Sequence, residues 1–501
     1  MATCTPVSLR EPATRTRCAL RFPALLLIGI GFLAAFLASN KLADPDLWWH
    51  LRIAARALTT GHLPHRDFLS FSVRGHAWTD TEWLSELFFY GAWRAGGLAG
   101  LQALMTASLV ALELGIVGLA WQRARNIKAA AAAGAGALLL ATVSFGPRTI
   151  IFGYLCTIGL LALLERYRRQ RHAPLWLLPL LFALWVNLHG SWALGLALLA
   201  LFTISGWRAG VWGWLHADAW TPRQRRELLL ATLGSCLALL LNPYGLHMLL
   251  YPFWVSLREM VAINHVQEWR TINFHLLRGK LLLLLLLGLF LLTLIRRRAW
   301  RVSDLLWAGF ALYCGLTYER FLVLTAIVVT PMLAERLDFF PPYRPQLDRP
   351  WLNLALALGL TGWLVVVFPS SRRLHAEIQA HFPQGAAAYL VRHPIPRVLN
   401  AYDWGGYLDW QTPGYRDFID SRADVFVQTG VFQDYLNAIV LRRLNPVLAK
   451  YRIQAVLFPQ NSPVILYLER DPDWKMAYRG RLSALLVRRR IVRVAATRGS
   501  Q

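Results

Sequence analysis

Directly after its first apolar stretch the chain reads Asp44-Pro45-Asp46-Leu47-Trp48-Trp49-His50-Leu51-Arg52. Two carboxylates stand there at the edge of a hydrophobic segment, beside a Trp pair suited to a membrane interface. Acids are costly beside lipid and mark function there. A carboxylate in that place can take the proton of a hydroxyl. More polar side chains fall at the ends of later apolar stretches. They are Glu82 and Glu86 in WTDTEWLSE, Arg148, Asn187 and His189 in WVNLHG, Glu268 before Trp269, and Arg320 after Glu319. Glu82 and Glu86 are four apart and share a helix face. Arg148 and Arg320 are single guanidiniums at ends with no other basic residue, suited to gripping a phosphate or to anchoring by snorkelling. Asn187 and His189 suit a phosphate or sugar contact, although a lone His is more often structural. A wet cavity on the outer side of a membrane would account for the whole set.

The elements that must position these groups are hydrophobic. The 501 residues are 56% hydrophobic and 16% charged, with mean hydropathy +0.39. Apolar stretches recur at about 22–39, 97–121, 129–145, 149–164, 174–188, 191–215, 227–241, 280–295, 303–317, 321–335 and 351–369. Many are long enough to span a bilayer. The expectation is a polytopic α-helical membrane protein of about eleven spans. The stretch 22–39, behind Arg10 to Arg21, resembles a signal peptide but reads better as an uncleaved first helix.

The net charge of +25 comes almost wholly from Arg. The basic clusters are Arg10–Arg21, Arg123–Lys128, Arg166–Arg171, Arg208–Arg226, Arg296–Arg301 and Arg336–Arg349. They occupy alternate loops, as orientation signals do, which argues against nucleic acid as a partner. The N-terminus is then cytoplasmic and the region from about residue 370 lies outside, in a multi-pass protein of the cytoplasmic (inner) membrane. The five cysteines have neither zinc nor redox spacing.

The first outer loop, 40–96, is long. Leu47, Trp48, Leu51, Ala55 and Leu58 recur at helical spacing, which predicts a helix lying in the interface and ended by Gly61-His62-Leu63-Pro64. Asn242-Pro243-Tyr244-Gly245 reads as a span terminator. The division expected is a membrane domain over 1–369 and a C-terminal extracytoplasmic α/β domain over 370–501. In the latter, strands are predicted at Val398–Trp410, Tyr415–Ile419, Gln454–Phe458, Val464–Leu468 and Leu482–Arg488, with helix over 431–451. Asp403 and Asp420 sit in loop motifs, where turn or cap roles compete with ligand binding.

An acidic motif after the first span, a helix behind it, many spans and an exported tail together resemble the GT-C superfamily of membrane glycosyltransferases. DPDLWWHLR is similar to the Asp-Pro-aromatic-Arg stretch in the first outer loop of the oligosaccharyltransferase catalytic subunit. DPDLWWHL, WTDTEWLSE, NLHG, NPYG and WGGYL…IDSR also look like a group of bacterial membrane proteins related to these enzymes. The resemblance implies a GT-C-like fold, Asp44 as catalytic or metal-binding acid and Asp46 as its runner-up. It further implies a polyprenyl-phosphate-linked sugar as donor, an extracytoplasmic acceptor (glycan, lipid or protein), and inversion at the anomeric carbon. A divalent metal, Mg or Mn, would bind at Asp44; the sequence itself fixes no cofactor. Two departures stand out: no second acidic pair lies near Arg148, and no WWD-type acceptor motif occurs in the tail. Membrane lipid would contact the helices. In this reading Arg148, His189 and Arg320 face the lipid phosphate, and Glu82, Glu86, Asn187 and Glu268 contact substrate. The rival readings are a transporter or flippase of a lipid-linked or polar substrate, and a non-catalytic membrane scaffold.

Overall fold

The computed structural model describes residues 20–39, 41–258 and 269–489. Each of the eleven apolar stretches lies in or mostly in a helix. The series runs Phe22–Ala38, Trp83–Ala124, Ile127–Ala141, Ile150–Gln170, Leu177–Leu188, Trp192–Ser205 and Pro222–Ala238. It continues with Leu277–Arg296, Val302–Thr317, Leu322–Arg336 and Pro350–Val367. Among the described residues, five helical segments are long and apolar enough to cross a membrane by length and composition, and four more are shorter and apolar. The protein is a multi-pass membrane protein.

Two of these stretches depart from the sequence reading. The 97–121 stretch belongs to a longer helix that begins at Trp83 and bends where Gly96 and Gly97 leave helical geometry. Glycine permits the break because it lacks a Cβ. The 191–215 stretch stops being helical at Ser205, and Gly210–Trp212 and Leu215–Ala217 form an antiparallel hairpin turned by Gly213 at φ +59°.

The loop helix Asp46–Thr60 forms where expected and ends at Gly61 in the left-handed region, φ +72°. Its surroundings differ from the prediction. Leu47, Trp48, Leu51 and Ile53 are buried within protein rather than laid on an interface. The Trp48 ring meets the edges of Phe382 and Tyr407, with centroids 5.5 and 5.0 Å away. Trp49 joins Trp78, Phe418 and Phe426 in a second core. The Trp pair is therefore a joint between the first loop and the tail, not a lipid anchor.

The tail carries a four-stranded sheet. Val398–Asn400 pairs parallel with Ala455–Pro459, which pairs antiparallel with Ser483–Arg488; Trp474–Arg479 completes the edge. The predicted strands at Gln454–Phe458 and Leu482–Arg488 are present, and 431–451 holds the helices Val431–Ile439 and Leu444–Lys450. The Trp474–Arg479 strand was not foreseen. Val464–Leu468 is helical instead, because Ser462 caps the Ile465 N–H and Pro463 opens the helix. Val398–Trp410 is a strand only to Asn400, and Gly405–Gln411 is a helix. The Asn400 side chain pairs with the backbone of Phe418 and Ile419, at 2.8 and 2.7 Å. Those groups need no ladder partner, so Tyr415–Ile419 forms no strand beyond one bridge from Asp417 to Ser70.

Gly405 lets the tail pack on itself, and Gly406 lets it close on the loop helix. A Cβ on Gly405 would lie 2.2 Å from the Ile419 carbonyl oxygen; on Gly406 it would lie 3.1 Å from the Trp49 nitrogen. Gly405→Ala is expected to cost about 1–3 kcal/mol, as overpacking does, read as a lower melting temperature in detergent. An unchanged melting point would show that the tail relaxes freely around Gly405.

Candidate active site

Asp44 and Asp46 part company at Pro45. The Asp44 Oδ1 accepts the backbone N–H of Asp46 at 3.0 Å, which turns the chain into the loop helix. Its Oδ2 accepts from the Arg148 Nε at 2.9 Å. Asp44 is thus buried and committed to holding a guanidinium, whereas Asp46 faces a cleft. The Asp46 Oδ1 accepts from the Trp49 Nε1 at 3.3 Å, and the same N–H is 3.0 Å from the Ser421 hydroxyl of the tail. One helical turn after Asp46, His50 shares its face.

Glu82 precedes the long helix Trp83–Ala124, with its N–H fixed by the Asp80 carboxylate at 3.0 Å. One turn on, Glu86 lies 2.9 Å from the His50 Nδ1. The His50 Nε2 is 3.6 Å from the Glu82 Oε2. His189 follows the helix Leu177–Leu188. Its Nδ1 accepts the Ser191 N–H at 2.9 Å, so its neutral ring carries the proton on Nε2, which is 3.3 Å from the Glu82 Oε1. Arg320 lies in a short turn, its guanidinium stacked 4.5 Å over the Trp269 ring. Among the described residues its Nε has no hydrogen-bond partner.

Asp46, His50, Glu82, Arg148, His189 and Arg320 line one cleft with a cavity volume of about 50 Å³. Two acids, two imidazoles and two guanidiniums therefore meet at a single hollow. Asp44 holds Arg148 there, and Glu86 stands behind His50. Asn187 does not line the cleft. Its amide oxygen takes the Trp83 indole N–H at 2.9 Å, and its Nδ2 donates to the carbonyls of Ala183 and Leu241 at 2.7 and 2.8 Å. Those bonds engage both ends of the amide, and the side chain pins a helix end. Glu268 lies outside the described residues. Sequence reasoning missed His50 as a site residue; its spacing of four from Asp46 was the signal.

Burial governs the charges. It pushes Glu82 up to about 8, aided by the negative charges of Asp46 and Asp80, and raises Asp80 to about 6. It holds His50 well below the usual imidazole value, and His189 falls to about 3 through burial and the Arg320 charge. Both rings are neutral at pH 7.

The residues do not fit a divalent ion on Asp44. Both its oxygens are engaged, one by a guanidinium that would repel a cation. Among the described residues, one group of three acids or imidazoles has ligand atoms all within 4.8 Å, and it is in the tail: Asp409, Asp417 and Asp420. Asp420 there grips the buried Arg422, at 2.6 Å, and Asp67 of the first loop accepts from the same guanidinium at 2.8 Å. That network ties the first loop to the tail. Burial raises Asp409 and Asp417 well above the ordinary carboxylate value.

No family model and no curated protein matches this sequence. Solved structures do. The oligosaccharyltransferase of Archaeoglobus fulgidus, tethered to an acceptor peptide, superposes with a TM-score of 0.53 at 12% identity, over 87% of this chain and 69% of that one. The same enzyme with an inhibitory peptide and dolichol-phosphate gives 0.51. ArnT of Cupriavidus metallidurans in the apo state gives 0.50 at 15% identity, over 92% of this chain and 97% of that one. The chain has the GT-C fold. At these identities the likeness is one of fold. In this chain the cleft opens where the first loop meets the ends of the helices Ile150–Gln170 and Leu322–Arg336.

Proposed function

We propose that the chain is a glycosyltransferase of the cytoplasmic (inner) membrane, moving a sugar from a polyprenyl-phosphate carrier to an extracytoplasmic acceptor. One observation carries this reading: carboxylates and guanidiniums face each other across one small cleft beside apolar helices. Transfer needs both kinds of group. A carboxylate takes the acceptor's hydroxyl proton, and fixed positive charge receives the phosphate that leaves.

Asp46 is the base, because it faces the cleft. Asp44 fixes Arg148, and Arg148 with Arg320 receives the departing phosphate. His189 orients Glu82. The acceptor oxygen bonds to the anomeric carbon as the carbon–oxygen bond to phosphate breaks; the bonding pair leaves with the phosphate. Direct displacement inverts the anomeric centre. The N-terminus is cytoplasmic in this reading, residues 1–369 seat the lipid, and the tail 370–501 stands outside over the cleft. The two oligosaccharyltransferase structures, one tethered to an acceptor peptide and the other holding an inhibitory peptide and dolichol-phosphate, support a donor and acceptor of this general kind.

The test is binding of polyprenyl phosphate to protein in nanodiscs, followed by native mass spectrometry. Wild type is expected to retain the lipid, and Arg320→Ala to lose at least about tenfold in affinity, the value of one charge-assisted contact. Equal retention by both would remove Arg320 from the phosphate site.

One feature favours transport instead. Glu113, within the long helix, is 1% exposed, and among the described residues neither carboxylate oxygen has a hydrogen-bond partner. Isolated intramembrane acids mark ion or proton paths. Proteoliposomes that move a polyprenyl-phosphate sugar across the bilayer without cleaving it would establish that reading.

A further inference from the structure

We propose that Glu82 and Glu86 share one proton through the ring of His50, a relay that clears the acceptor's proton from the cleft after each transfer. The inference rests on the glycosyltransferase reading for its role, and on geometry for its existence. His50 is 1% exposed and lies between two carboxyl groups, Nδ1 at 2.9 Å from Glu86 and Nε2 at 3.6 Å from Glu82. A neutral imidazole carries one proton and one lone pair, on opposite nitrogens. Placed between two carboxyls, it can receive a proton on one nitrogen while releasing another from the other nitrogen. The ring never needs to become a buried cation.

The balance closes. In the emptied state, reached as pH rises past the Glu82 value, Glu82 is a carboxylate in the cleft and Glu86 accepts the His50 Nδ1 proton. The acceptor's proton goes to Asp46 during displacement, then to Glu82. Glu82 hands it to the His50 Nε2 as the Nδ1 proton moves to Glu86. Glu82 is again a carboxylate, and Glu86 is neutral. The return shift releases the proton to water through the cleft between turnovers.

The surroundings suit this exchange. Glu82 is faced by Asp46 and His50 from the loop helix, by Asp80 from its own approach, by Thr149, by His189 and by Arg320. When it is ionised, the His189 Nε2–H steadies its Oε1, while His50 approaches its Oε2. Glu86 is faced by Asp80, Glu82, His50 and the tail's Arg422. It is wholly buried, and its carboxyl meets that of Asp80, which a proton on Glu86 turns into a hydrogen bond. Acids outnumber bases around the pair, and a shared proton relieves that imbalance. The same crowding holds Glu82 near 8, so the relay empties and turnover rises as pH passes upward through that value.

Two measurements test it. The first needs no turnover: infrared pH titration of the full chain in nanodiscs, following the protonated-carboxyl band. The relay predicts that Glu82→Gln and Glu86→Gln each remove the same single titrating component from the wild-type band, leaving the components of the other buried acids, Asp80, Asp409 and Asp417, in place. It also predicts that this component splits into two independent titrations in His50→Gln. Separate bands for Glu82 and Glu86 in the wild type would overturn the proposal. The second uses a polyprenyl-phosphate hexose panel. Glu86→Gln, which keeps the shape, is expected to slow steady turnover about tenfold and flatten the alkaline rise, while single-turnover transfer stays near wild type. Equal slowing of single and steady turnover would contradict a clearing role. If the panel gives no transfer by wild type, the transferase reading fails, and the infrared result still decides the shared proton.

Discussion

Asp46→Asn lowers transfer by about 10²–10⁴-fold, the contribution of a positioned general base. Asn keeps the volume, and its amide oxygen can still accept the Trp49 indole N–H. Folding and membrane insertion should therefore survive, and the loss should fall on kcat rather than KM. The companion variant sharpens the assignment. Asp44→Asn loosens the 2.9 Å contact to the Arg148 Nε, so it perturbs phosphate binding as well as rate. If Asp44→Asn abolished turnover while Asp46→Asn left it intact, the roles drawn from the cleft would be reversed. The rates of the two variants with a polyprenyl-phosphate sugar, alongside size-exclusion profiles in detergent, separate these outcomes.

Arg148→Ala carries the second large effect. It removes the cation proposed to face the leaving phosphate and leaves Asp44, 6% exposed, without its counter-ion. Loss of a preorganised group opposite developing charge costs about 10²–10³ in kcat. The stranded carboxylate adds a stability cost, since a half-broken buried pair leaves an uncompensated charge. Arg148→Lys tells the two apart. A lysine keeps the charge but offers no planar fork, so it should restore melting temperature more than rate. Full restoration of rate by lysine would mean that a point charge suffices and that Arg148 does not grip the phosphate.

Membrane helices were legible because their signal is local: an apolar run between Arg clusters needs no knowledge of partners. The loop helix was legible for the same reason, but its surroundings were not. Trp48 and Trp49 are equally suited to lipid headgroups and to a protein joint, and only the fold brings Phe382, Tyr407 and Ser421 to them. The cleft was half legible. Spacing links Glu82 to Glu86 and Asp46 to His50. The crossing of the loop helix against the long helix, which sets His50 between the two glutamates, leaves no trace in spacing.

Asn187 illustrates the opposite error. Its motif looked like a ligand contact, and its amide instead satisfies carbonyls that include Leu241, far along the chain. In the tail, Ser462 and Pro463 start a helix over the apolar run Val464–Leu468 that was predicted as a strand. The Asn400 clasp on Phe418 and Ile419 was not readable, because a side chain replaced the expected ladder.

The most direct measurement is donor cleavage by purified protein in nanodiscs, supplied with polyprenyl-phosphate hexoses and pentoses and a membrane-glycan extract as acceptor. The account predicts that free polyprenyl phosphate is released together with a glycosylated product, and that Asp46→Asn and Arg148→Ala both suppress release by at least about a hundredfold. Release at the wild-type rate by both variants would contradict it, as would donors that cross the bilayer intact.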